Sequence, residues 1–64
     1  MNEQYTASVY CGEEQIANQA GNDLDVLYTW MLTQGSTHIG NIHGEIIDNK
    51  TQKVIRTFRK SAIE

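Results

Sequence analysis

The chain has 64 residues, 39% of them hydrophobic, with one cysteine, no proline and a formal net charge of −3. That length admits one domain with a small core. The lone Cys11 excludes an intrachain disulfide or a multi-cysteine zinc framework, the staples that small domains often use. Charge is unevenly spread: seven acids and no Lys or Arg precede Lys50, whereas five bases and a single acid, Glu64, make up the charge from there on. The opening "MNEQYTASVY" has neither a basic region nor an apolar run of secretory length, and nowhere do 18 apolar residues follow one another. The expectation is a soluble, acidic, cytoplasmic protein with no membrane association, folded as a single small α+β domain over residues 1–64.

The first element is a strand over 4–11. In "YTASVYC" Tyr5, Ala7, Val9 and Cys11 alternate with Thr6, Ser8 and Tyr10, as a strand with one buried face requires. Gly12-Glu13 suits a type II′ hairpin turn. Pairing Cys11 with Glu14 then sets Val9 opposite Ile16 and predicts a second strand over 14–19, with Ala20-Gly21 as its exit.

"NDLDVLYTWMLTQG" predicts the one helix, over 23–34. Asn22 is the expected N-cap, Asp23 and Asp25 suit the positive end of the helix dipole, and Gly35 marks the stop. Leu24, Leu27, Tyr28, Met31 and Leu32 form an apolar stripe at i, i+3, i+4, i+7 and i+8, which should pack on a sheet. Trp30 flanks that stripe beside Leu27, either as cover for the core edge or as a contact anchor, since Trp is enriched at binding hot spots.

The remainder predicts a second hairpin, with strands over 38–48 and 53–60 and a turn opened by Asp48. With Asn49–Gln52 as the loop, Asp48 pairs with Lys53, Ile47 with Val54, Ile46 with Ile55, Glu45 with Arg56 and His43 with Phe58. One face then carries Ile42, Gly44, Ile46, Ile55 and Thr57. The other carries Ile39, His43, Ile47, Val54 and Phe58 with a Glu45–Arg56 pair. The order β-β-α-β-β gives a mainly antiparallel four-stranded sheet with one helix packed on one face.

Few constellations carry chemistry. His38 and His43 are five residues apart, so a regular strand sends their rings to opposite faces and away from a shared metal ion. Cys11 falls on an inward face beside a tight turn, where it acts as a small hydrophobe. No Gly-rich phosphate loop or catalytic Ser motif is present. The expectation is no enzyme activity, no catalytic residue, no cofactor and no metal. A single helix covers one sheet face, so Trp30, Ile39, Ile47, Val54 and Phe58 are left as a candidate protein interface. They predict a small interaction module that binds a protein partner or a second copy of itself. The alternative is a nucleic-acid binder using "KVIRTFRK", with Lys53, Arg56, Arg59 and Lys60 as contacts around Phe58. Strand alternation divides those charges between two faces, and the acidic remainder repels phosphate, so this reading ranks second.

Overall fold

The computed structural model describes residues 3–61. The domain expected over 1–64 thus includes residues 1, 2 and 62–64, which lie outside the described residues. The elements are β1 (Tyr5–Cys11), β2 (Glu14–Gly21), α1 (Leu24–Ser36), β3 (Ile42–Asp48) and β4 (Lys53–Lys60). All neighbouring strands are antiparallel, the sheet order is β2-β1-β3-β4, and α1 packs against one face, an α+β fold. The two hairpins join through β1 and β3, which are distant in sequence, so β2 and β4 become the edges.

Both hairpin turns form where the sequence places them. Gly12 takes the left-handed conformation (φ 64) at the first corner, while Glu13 does not have positive φ, as a type II′ turn requires. At the other turn the Asp48 carboxylate accepts hydrogen bonds from the backbone N–H of Lys50 (2.9 Å) and Thr51 (3.4 Å). Asn49 holds this turn to the start of β1: its backbone N–H donates to the Gln4 carbonyl (2.8 Å) and its side-chain amide to the Glu3 carbonyl (3.1 Å).

Each hairpin contains one irregularity that the expected registers lack. In the first, Cys11 pairs with Glu14 and Tyr10 with Gln15, but Val9 pairs with Ala17 rather than Ile16. In the second, Asp48–Lys53 and Ile47–Val54 hold as expected, after which Ile46 pairs with Arg56, Gly44 with Phe58 and His43 with Arg59. Ile16 and Ile55 are thus the extra residues of two bulges, and a one-residue slip exchanges the faces of every side chain beyond it. On β4 the slip brings Arg56, Phe58 and Lys60 to the helix side and sends Thr57 and Arg59 to the other. The expected Ile46–Ile55 and His43–Phe58 pairs do not form. Nor does the Glu45–Arg56 pair, because Glu45 stands opposite Thr57 while Arg56 lies over the Tyr28 ring, 5.7 Å from its centroid.

The core is Ala7, Val9, Leu27, Met31, Ile42 and Ile46, all essentially inaccessible, with Tyr5, Ile16, Leu24, Tyr28, Trp30 and Phe58 packed around it. The helix differs from expectation at three points. Its N-cap is Asp23, whose carboxylate accepts from the N–H of Asp25 (3.0 Å) and Val26 (3.2 Å), while the Asn22 side-chain carbonyl accepts from the N–H of Gln4 (2.8 Å). Gly35 is buried inside the helix, and Thr37 is the C-cap. A Cβ on Gly35 would lie 2.5 Å from the Phe58 ring, so glycine there permits a close crossing of helix and β4 rather than ending the helix. Leu32 is 40% exposed. Met31 and Gly35 form the line facing the sheet, and Leu32, turned about 100° from Met31, falls outside it.

β3 begins at Ile42 instead of 38, and Ile39 lies in the α1–β3 connection, 96% exposed. The connection is tied to β4 by Lys60, whose ammonium donates to the carbonyls of Gly35 (2.7 Å) and His38 (2.8 Å). The last helical turn has no basic residue of its own, so a cation from the neighbouring strand serves the negative end of the helix dipole. Lys60→Met, which keeps the stem and removes the charge, is expected to lower stability by about 1.5–3 kcal/mol, the range for hydrogen bonds to charged groups. Urea denaturation should show a lower midpoint at an unchanged slope.

Candidate interaction surface

The face of the sheet opposite α1 has no covering element among the described residues. Strand registers arrange it in cross-strand rows: Ala20–Thr6–Ile47–Val54, then Asn18–Ser8–Glu45–Thr57, then Gln15–Tyr10–His43–Arg59. The first row ends in an apolar pair, with Ile47 half-buried and Val54 49% exposed. The middle row is polar. Ser8, at its centre, is nearly inaccessible.

The third row holds two rings in contact. Tyr10 and His43 stack with centroids 5.2 Å apart and planes 13° from parallel. This is a cross-strand aromatic pair, which stabilises the β1–β3 junction. Arg59 stands on the far side of His43, and His43, Glu45, Thr57 and Arg59 line a shallow recess along the β3–β4 ladder. The result is a sheet face with an apolar end, a polar middle and an aromatic, basic end.

The residues expected at an interface are divided by this geometry. Ile47 and Val54 are brought together on the open face. Ile39 is exposed but lies in the α1–β3 connection, away from that pair's strands. Trp30 is half-buried against the core from the helix. Phe58 does not belong to the open face: the Ile55 bulge turns it inward beneath Gly35, where it is part of the core packing. Tyr10 and His43 complete the surface. Their side of each strand could be read from alternation, but their contact depends on β1 pairing with β3, a long-range choice with no local signal.

The basic strand is similarly divided. Arg56 is engaged with Tyr28 and Lys60 with the helix C-terminus, both on the helix side. Arg59 is on the open face, and Lys53 is exposed beside the turn opposite Asp48. Among the described residues no three of His, Cys, Asp and Glu are grouped so as to hold a metal ion, and no helix is long and apolar enough to cross a membrane. In comparisons with known proteins, no family model, curated protein or solved structure matches the chain.

Proposed function

We propose that this protein is a non-enzymatic interaction module that binds another protein through the open face of its sheet. The observation that carries this reading is the Ile47–Val54 pair, apolar side chains held side by side on a face that α1 does not reach. Stacked Tyr10 and His43 add a flat aromatic area, and the Glu45–Thr57 row supplies hydrogen-bonding groups between the two ends. Apolar and aromatic side chains contribute most of the contact energy at protein interfaces, and here they stand at the two ends of a polar row.

The test is site-specific photo-crosslinking in cells that produce the protein, with a photoreactive amino acid at Val54 or, as a control, at Thr29 on the exposed side of α1. A discrete product from Val54, absent from Thr29 and lost on adding Ile47→Lys, is expected. Equal labelling from both positions would overturn the reading.

Nucleic-acid binding is the second reading, favoured by Arg59 beside the Tyr10–His43 stack. It is weakened by the engagement of Arg56 and Lys60 within the chain. No retention on single- or double-stranded oligonucleotides is expected at moderate salt. A complex with a single strand whose log affinity falls with log salt at about −0.7 per phosphate contacted, and which is lost in Lys53→Gln/Arg59→Gln, would reverse the ranking.

A further inference from the structure

We propose that β2 is the strand through which two copies of this chain join, edge to edge about a two-fold axis normal to the sheet, doubling the four-stranded sheet into one continuous antiparallel sheet. This extends the interaction-module reading to a different surface, so the two can fail separately.

The two edges of the sheet are built differently. β4 carries Lys53, Arg56, Arg59 and Lys60, and charged side chains on an edge strand oppose pairing with another strand. β2 lacks two of the usual guards: from Gln15 to Gly21 there is no charged residue and no proline. Its bulge lies at Ile16, close to the turn, so Ala17–Gly21 continues as regular strand. That run is Ala-Asn-Gln-Ala-Gly, with no side chain branched at Cβ and none charged, and it offers little to keep another backbone away. Outward backbone groups of this run have no acceptor or donor among the described residues.

Charge and symmetry then select the occupant. Two β4 edges would place bases against bases. A β4 edge on a β2 edge is a head-to-tail contact, and in a flat sheet such contacts propagate without closing. Two β2 edges are self-complementary: antiparallel strands exchange the same N–H and C=O groups in both directions, no charged residue of 15–21 meets another, and the assembly closes at two copies.

Light scattering coupled to size-exclusion chromatography, over a range of protein concentrations, reads the outcome directly. The wild-type mass should rise toward twice 7.2 kDa. Asn18→Lys/Ala20→Lys, which sets like charges near the axis, should hold the mass at that of one chain with unchanged far-UV circular dichroism, whereas Val54→Lys should still dimerise. A double variant that keeps the doubled mass, a wild type that stays monomeric at all concentrations, growth into polymers, or loss of the dimer in Val54→Lys alone would each overturn the proposal. Only the last of these would relocate self-association to the open face. Should the double variant fail to fold, amide exchange of the wild type decides: some of the 17–21 amides should become protected as concentration rises, and concentration-independent exchange there refutes β2 pairing.

Discussion

Leu27→Ala is expected to bring the protein to the edge of unfolding at room temperature. Leu27 is 2% exposed and, with Met31 and Gly35, is one of the three buried residues along which α1 meets the sheet; truncating a buried leucine costs about 2–5 kcal/mol through lost transfer energy and the cavity left behind. Stabilities of about 0.05–0.15 kcal/mol per residue imply roughly 3–10 kcal/mol for a chain of this length, so the loss is a large share of the whole. Neighbours have little freedom to refill the space, since Met31, Val9 and Ile46 are already inaccessible. Thermal melting followed by circular dichroism is the measurement. An unchanged melting temperature would mean that the helix does not bury this side chain on the sheet.

The second large effect belongs to Gly44 in the middle of β3. Alanine normally improves on glycine inside a strand by about 0.5–1 kcal/mol, because glycine loses more conformational freedom on folding. Here the sign should reverse. A Cβ at position 44 would lie 2.7 Å from the Met31 sulfur and 2.9 Å from the Ser8 carbonyl oxygen. The methionine can move, but the Ser8 carbonyl belongs to the neighbouring strand's backbone and can shift only by disturbing the β1–β3 ladder. Overpacking of this kind costs about 1–3 kcal/mol. Gly44→Ala should therefore lower the urea midpoint, and the additional change Met31→Leu, which removes the sulfur from that position, should restore only part of it. A Gly44→Ala variant more stable than the parent would show that helix and sheet do not approach as closely as the geometry requires.

Both predictions depend on interactions of differing visibility in sequence. Leu27 announces itself, since its spacing to Leu24, Tyr28 and Met31 is helical and leaves little choice of buried face. Gly44 does not. A glycine between His43 and Glu45 reads equally well as a weak point, a bulge or a close approach, and only the position of Met31 above it decides. Gly35 shows the same ambiguity, since a glycine near the end of a helical pattern reads as a stop, yet it lies inside α1 because Phe58 occupies the space beneath it.

The candidate surface was legible to a similar degree. Ile47 and Val54 follow from alternation and from the Asp48 turn, both of which act within a few residues. Strict alternation through Ile55 puts Phe58 on the open face, whereas the bulge there turns it inward. A bulge has no composition that marks it, and this one exists because moving Phe58 inward buries a larger side chain than Ile55 and also brings Arg56 to Tyr28 and Lys60 to the helix C-terminus. Those gains arise only once α1 is in place.

Local sequence specifies the elements and their order, the two tight turns, the buried face of the helix and the concentration of bases in the last strand. These depend on periodicity and turn chemistry, which operate over a few residues. Tertiary structure alone decided which strands lie side by side, where the ladders slip by one residue, and so which side of β4 each charge and ring faces. Strand pairing and bulges are settled by packing between segments far apart in sequence, and the energy that selects them is absent until those segments meet.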